Sequence, residues 1–280
     1  MIKLLKLMFP FIRPYLRLAI IATICSFPIA AIKAYQAYFI KAATLEKLGR
    51  KEDALAHVLK AIEKFPLAYG LYAEKARIEG TEVSKKAFTE LCQGRLANAI
   101  HISGLYQSIG LDEFAVEIID WIGARGANAL LIKAALTETG KDQLIAKAES
   151  EFSKNVLFPN TYVEWLALTQ LSGYPFADYL LGCFYYSKKS YEKAVELWQG
   201  ALVKRPEFKE CHRNLSVYFA NKKQDFESAV SHMNEAWRLD PQDPRVLFEL
   251  DHLNNLVGKS VKERLVLLNS HQDVVLRRDD

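Results

Sequence analysis

Cysteine and histidine are the residue types through which this 280-residue chain could hold a metal ion. The cysteines form no CxxC pair and have no histidine at zinc-finger spacing, and the histidines include no HExxH motif. These spacings predict no metal site and no cofactor. We expect free thiols, buried or lining a groove, in a reducing compartment. The four cysteines are Cys25, Cys92, Cys183 and Cys211.

Catalysis could also depend on an activated nucleophile or a phosphate-binding loop, but the sequence contains no complete motif for either. The string VGKS, Val257–Ser260, has the end of a P-loop, but Leu253 stands where the earlier loop glycine is needed. No GxSxG motif occurs, and acidic residues are scattered among basic ones without an evident general acid–base pair. The chain is therefore predicted not to be an enzyme.

Composition favours long helices and argues against a nucleic-acid partner. The net charge of +4 is small, and charges of both signs are interspersed, so no basic face is evident. Half of the residues are apolar, and glycine accounts for 13 of 280. This is below the usual share of about 7%, which suits helices with few tight turns.

A sequence repeat in the carboxy-terminal half must position any site there. The first unit is defined by Leu181, Gly182, Tyr185, Ala194, Trp198, Ala201 and Pro206. Its spacing is typical of two antiparallel helices that pack small residues against large ones, and it resembles the tetratricopeptide repeat. In a second unit, Ala229, Met233 and Ala236 fall where Ala194, Trp198 and Ala201 fell, but Pro241 follows Pro206 by 35 residues, where the period is about 34. We expect the extra residue in the loop NKKQD between the helices.

Further units flank this pair. One unit closes at Pro66 and, counted back, begins near Tyr35. Another starts near Pro244 with apolar positions at Leu247, Leu250, Leu265 and Leu267. The resemblance implies an all-α, tetratricopeptide-like α-solenoid of helical hairpins, here preceded by an apolar amino-terminal helix. The predicted segments are a basic elbow and transmembrane helix (1–42), irregular hairpins (43–158) and regular repeats (159–280), with the array expected to stop within the repeats.

The amino terminus predicts a membrane anchor. Residues 18–40 number 23 and would span roughly 34 Å as a helix, enough to cross a bilayer core of about 30 Å. A cleaved signal peptide and a buried helix of a soluble protein remain alternatives. Residues 1–42 resemble the first transmembrane helix of lipid A flippase-type ABC exporters. The expected location is the bacterial inner membrane with a single span, or alternatively the cytoplasm.

A closer resemblance covers residues 174–280, with strings such as HRNLSVYFANKKQDFESAV and LDPQDPRVLFELDHL. They are similar to the repeat region of large bacterial, carbohydrate-associated tetratricopeptide proteins that carry an uncharacterised domain ahead of the repeats. This resemblance implies an alternative function, that of a soluble accessory or degenerate member without its ligand-binding or catalytic domain.

The predicted groove collects residues on the inner helices, with aromatic and mixed polar character. The resemblance implies a membrane-tethered, non-catalytic scaffold that binds a protein or peptide partner in this groove. Compared with a carboxylate-binding groove, Tyr179, Cys183, Asn214, Arg245 and Glu249 match in only two of five places, so such a clamp is not expected. Alternatively, Tyr179 and Tyr186 pack within their hairpin. The predicted site residues are Tyr179, Tyr186, Arg213, Asn214, Asn221, Phe248 and His252.

Overall fold

The computed structural model describes residues 35–277 apart from residues 94, 122–125, 153–158 and 160. These residues form helices and turns with no strand among them, which confirms the predicted all-α class. The helices are α1 (35–47), α2 (Lys51–Lys64), α3 (Tyr69–Glu79), α4 (Glu82–Leu91), α5 (Leu96–Gln107), α6 (Asp112–Trp121), α7 (Ala127–Leu136), α8 (Lys141–Glu151), α9 (Tyr162–Gln170), α10 (Pro175–Ser187), α11 (Tyr191–Lys204), α12 (Lys209–Tyr218), α13 (Phe226–Leu239), α14 (Pro244–Leu256), α15 (Val261–Asn269) and α16 (Gln272–Val275).

Contacts divide the chain into two compact units, Met1–Ala124 (unit 1) and Arg125–Asp280 (unit 2). The sequence-based division was made on a different basis, the regularity of the repeats, and it stays a prediction. Its segments are 1–42, 43–158 and 159–280. Within each unit, helices pack as tetratricopeptide-like hairpins, among them α5–α6 in unit 1 and α7–α8, α10–α11 and α12–α13 in unit 2.

The predicted membrane span lies only partly in the described chain. Residues 18–34 are outside the described residues, while residues 35–40 belong to α1. Phe39 in α1 is fully buried, and its ring meets the edge of Tyr106 at 4.7 Å between centroids. This end of the predicted span therefore packs on protein as the first repeat helix. Across the described residues, no helix has both the length and the apolar character that crossing a bilayer requires.

Unit 1 also buries a charged cluster. The Arg77 guanidinium lies 2.8 Å from a carboxylate oxygen of Glu46 and donates to both oxygens of Glu74 at 3.0 and 3.1 Å. Tyr106 donates its hydroxyl hydrogen to Glu74, and the Phe114 ring stacks on Arg77 at 3.5 Å. A buried cation with these partners has its charge and hydrogen bonds satisfied.

The α10–α11 hairpin of unit 2 shows why the repeat needs a glycine. A Cβ on Gly182 would lie 2.3 Å from Nε1 of Trp198, so only glycine admits the indole at this distance. Nε1 donates to the backbone carbonyl of Tyr179 at 3.2 Å. Ala194 and Ala201 are fully buried on either side of the tryptophan. The small residues therefore allow α11 to pack closely against α10.

The next hairpin, α12–α13, replaces the glycine with Ser216. This buried hydroxyl donates to the carbonyl of Ala229 at 2.7 Å and so joins the two helices directly. The extra residue of this repeat is accommodated in a π-helical turn, Phe219–Lys223, and Gln224 follows in the left-handed conformation. The insertion thus extends the first helix before the loop, because a π turn takes up one residue more than an α turn.

The last described hairpin loosens after α14. Leu247 and Leu250 of α14 are buried as predicted, but Leu265 of α15 is 48% exposed. Leu267 is partly buried against the α13–α14 core. Beyond α15, Val274 of α16 is fully buried. The third unit therefore keeps the predicted pattern in its first helix and only part of it in the second.

Candidate functional site

A cleft of about 300 Å³ opens between α12 and α14 in unit 2. Four of the seven predicted groove residues, Arg213, Asn221, Phe248 and His252, line it together. The remaining lining residues are Ser216, Val217, Ala220, Met233, Arg245, Glu249 and Leu253.

Helical periodicity brings these side chains to one surface. On α14, Arg245, Glu249 and His252 are spaced i, i+4 and i+7, so they lie on one face. On α12, Arg213 and Val217 are one turn apart, while Leu215 of the same helix is fully buried in the core. The apolar residues that fix α12 to its neighbours therefore leave the polar face turned toward α14.

Two arginines share one carboxylate in the cleft. Arg213 donates two hydrogen bonds to Glu249, at 2.8 and 2.5 Å, in the bidentate arrangement that suits guanidinium and carboxylate. Arg245 donates from Nε to the same carboxylate at 3.2 Å, yet its side chain remains 73% exposed. The three groups leave one positive charge in excess, and Arg245 carries it at the rim.

The floor of the cleft is apolar. Met233 and Leu253 are buried beneath it, and Ala220 adds a small side chain. Phe248 is 53% exposed and lies at the rim. It adds an aromatic surface beside the polar face of α12. An apolar floor beside a cationic rim can hold an apolar side chain next to an acidic group.

Two other predicted groove residues, with Cys183 between them, form a separate cluster toward α10. Asn214 donates from Nδ2 to Sγ of Cys183 at 3.3 Å, and burial raises the pKa of this thiol to about 11. Burial also raises the pKa of Tyr179 well above its usual value. The Tyr179 ring packs on Phe208 at 5.1 Å between centroids. These residues do not line the cleft described above.

Tyr186 packs within its own hairpin. Its ring meets Tyr191 at 5.1 Å and Trp198 at 5.6 Å between centroids. The alternative left open by the sequence, that the tyrosines are packing residues, describes the position of Tyr186. Its role toward a partner stays a prediction.

Sequence analysis did not predict that Glu249 binds both Arg213 and Arg245. Arg245 and Glu249 entered only as places compared with a carboxylate-binding groove, although their i, i+4 spacing on α14 already indicates an ion pair. Nothing in the spacing indicates that Arg213, 36 residues before Glu249, completes it. In this chain Glu249 presents a carboxylate of its own to Arg213. Within the described ranges, no three His, Cys, Asp or Glu side chains are grouped so as to hold a metal ion.

No protein-family model matches the sequence. Among solved structures, the Cut9–Hcn1 hetero-tetramer of the APC/C matches at 13% identity over 86% of this chain and 46% of that chain, with a TM-score of 0.38. The TPR2AB domain of yeast Sti1 in complex with pHSP90 matches at 15% identity over 86% and 91%, with a TM-score of 0.33. MamA from Desulfovibrio magneticus RS-1 matches at 14% identity over 88% and 97%, with a TM-score of 0.33. This chain thus spans less than half of the first of these chains.

Proposed function

We propose that unit 2 is a non-catalytic scaffold that binds a protein or peptide segment in the cleft between α12 and α14. The observation that carries the proposal is the apolar floor beside two arginines that share Glu249. The preferred segment places an apolar side chain against Phe248 and an acidic side chain near Arg245. An exposed aromatic ring and an arginine are residue types that often dominate the energy of interfaces.

Selection from a displayed peptide library on the intact chain tests this proposal. We expect enriched peptides to combine acidic with apolar residues. Phe248→Ala and Arg245→Ala should each weaken their binding about tenfold or more, as hot-spot residues do. Val203→Ala is the matched control, because Val203 is an apolar residue 83% exposed on α11 and outside the cleft. Peptides that bind the Phe248→Ala and Val203→Ala variants equally well would contradict the assignment.

Membrane attachment through the amino-terminal part of residues 18–40, ahead of α1, is a second part of the proposal. It is supported by the length and apolar character of this segment and by its resemblance to an exporter's first helix. A single span in the bacterial inner membrane would bring the cleft to partners at the membrane. Alkaline carbonate extraction of the full chain, beside a chain without residues 1–33, tests it. We expect the full chain in the pellet and the shortened chain in the supernatant.

The alternative is a soluble accessory protein of the carbohydrate-associated repeat group. The resemblance of residues 174–280 to that group supports it. Release of both chains by carbonate would favour this alternative over the tethered scaffold. The peptide-selection experiment does not depend on that outcome, because the cleft lies in unit 2 and does not include residues 18–40.

A further inference from the structure

The inter-helix turns of three successive hairpins in unit 2 carry exposed lysines. None of these lysines forms an ion pair with any residue that the structure describes, whereas Lys209 at the opposite end of α12 pairs with Asp240 and Asp243. We call this surface the lysine edge. It consists of Lys188, Lys189 and Lys193 at the α10–α11 turn, Lys222 and Lys223 at the α12–α13 turn, and Lys259 and Lys262 at the α14–α15 turn.

The three turns lie side by side. Nζ of Lys222 is 4.7 Å from the centroid of the Tyr191 ring, so the second turn touches the first. Asn221 from the second turn and Leu253, in the last turn of α14, line one cleft, so the segments that lead into the second and third turns are neighbours. The lysines therefore form one continuous surface instead of three separate sites.

The backbone at Lys189 is one that glycine adopts more readily than lysine. Lys189 has φ of 64°, in the left-handed region, and Gln224 in the next turn of the lysine edge has φ of 55°. Glycine occupies that conformation in the turns before α2, α6, α8 and α15, at Gly49, Gly110, Gly140 and Gly258. Glycine at position 189 would therefore remove the lysine and fit the backbone without strain.

Carboxylates on this edge reduce its charge without cancelling it. Glu192, Asp225, Glu227 and Glu263 lie at the starts of the second helices, four against seven lysines. Asp225 accepts the backbone amide hydrogen of Ser228, and Glu263 accepts that of Ser260. With seven lysines against four carboxylates, the edge keeps a net charge of +3.

The aromatic rings near the lysines do not suit a single-stranded nucleic acid. Nζ of Lys193 lies 4.1 Å from the centroid of the Tyr185 ring, and Lys222 covers Tyr191 in the same way. Base stacking requires an open ring face, and these faces are occupied. The third turn instead exposes aliphatic side chains, with Val257 at 37% and Val261 at 68% exposure. Aliphatic tips among lysines match the boundary between headgroups and acyl chains.

We propose that the lysine edge binds the surface of a bilayer that contains anionic phospholipids. Lysines are point charges on long flexible stems, which suits a diffuse layer of headgroup phosphates better than a single bidentate ligand. The edge is distinct from the cleft, so this proposal does not rest on the peptide-binding function.

Cosedimentation of the full chain with phosphatidylglycerol-containing vesicles and with phosphatidylcholine vesicles tests the proposal. We expect tighter binding to the phosphatidylglycerol vesicles, a loss of this difference at high salt, and about a fivefold weaker partition for each lysine removed. The main variant replaces Lys188, Lys189, Lys222 and Lys223 with glutamine. Its matched control replaces the exposed Lys51, Lys60, Lys86 and Lys147 with glutamine, which changes the net charge equally.

Two further measurements test whether the lysine edge itself contacts the lipid. Lys189→Gly relieves the left-handed backbone, so weaker vesicle binding by this variant cannot come from unfolding. Acetylation of lysines, read by mass spectrometry, should show protection of the lysine edge by phosphatidylglycerol vesicles even where residues 18–40 insert into both vesicle types. Equal protection by both lipids, or equal loss in the matched control, would overturn the proposal. Binding of a single-stranded oligonucleotide without a phosphatidylglycerol effect would also overturn it.

Discussion

Gly182 and Trp198 approach so closely that a Cβ on the glycine would lie 2.3 Å from Nε1 and 2.6 Å from Cδ1 of the indole. The tryptophan is buried and donates to the backbone of α10, so it cannot move away without loss of that hydrogen bond. Together with the buried Ala194 and Ala201, this contact allows α10 and α11 to pack closely. Because only glycine fits opposite Trp198, this glycine–tryptophan pair marks the repeat in the sequence.

Gly182→Ala should destabilise unit 2. Alanine favours the helix by up to about 1 kcal/mol, but overpacking against a buried ring costs about 1–3 kcal/mol. We expect a net decrease in the free energy of unfolding of roughly 1–2 kcal/mol, measured by urea denaturation with tryptophan fluorescence.

Gly200→Ala is the matched control for this substitution. Gly200 lies in α11, and no atom lies within 4 Å of a Cβ on it. Its replacement should therefore raise the free energy of unfolding by up to about 1 kcal/mol. If both alanine variants were stabilised equally, the contact between Gly182 and Trp198 would not be as close as described.

The His212–His232 pair should make the stability of unit 2 fall in mild acid. The two Nδ1 atoms are 3.1 Å apart, and Nε2 of His212 lies 3.0 Å from the Pro206 carbonyl. Both contacts are satisfied when His212 donates from Nε2 and His232 donates from Nδ1, with both rings neutral. Burial, then the neighbouring His212, lowers the pKa of His232, and Glu235 opposes this effect.

The direction of this pH dependence follows from the protons that the folded and unfolded states bind. The unfolded chain binds a proton at His232 near pH 6.5, whereas the folded chain resists it, so the unfolded state binds more protons below that pH. The free energy of unfolding should be unaffected by His232 above about pH 7.5 and decrease as the pH falls below 6.5. Urea denaturation across this range measures it. His232→Gln should flatten the dependence, and an unchanged slope in that variant would contradict the assignment.

Glu249→Gln should strengthen the binding of an acidic peptide in the cleft. The substitution removes the carboxylate shared by Arg213 and Arg245 and leaves two positive charges where one was in excess. We expect about fivefold tighter binding at low salt and a steeper loss of affinity as salt is added. Fluorescence anisotropy with a labelled, selected peptide measures both quantities. Arg245→Ala should act in the opposite direction, and weaker binding by Glu249→Gln would show that Glu249 itself contacts the peptide.

Arg77→Met should unfold or strongly destabilise unit 1. The side chain of Arg77 is 4% exposed, and its removal leaves the carboxylates of Glu46 and Glu74 without their cation. Breaking a buried pair in this way costs about 3–5 kcal/mol. Circular dichroism during urea denaturation measures the loss. Arg50→Met removes an exposed partner of Asp53 and should cost less than about 1 kcal/mol, so equal effects would refute the buried cluster.

Much of the fold could be predicted because its determinants are local. The small residues of the α10–α11 hairpin recur at helical spacing, and each must face a large residue on the facing helix. The same spacing located the extra residue of the second repeat, although not the π turn that accommodates it. The site was predicted less completely. Arg213, Asn221, Phe248 and His252 meet in one cleft, whereas Tyr179, Asn214 and Tyr186 contact other neighbours.

The sequence by itself therefore determined the helical hairpins, their register and the inner-helix face on which a site could lie. Only the tertiary structure decided that Arg213 and Arg245 converge on Glu249 and that the lysines of three turns form one edge. The physical reason is that helix periodicity is read within one helix, whereas ion pairs and shared surfaces depend on how separate helices are placed. Such placement is set by core packing between helices, here among residues such as Ala229, Met233 and Val246 of α13 and α14.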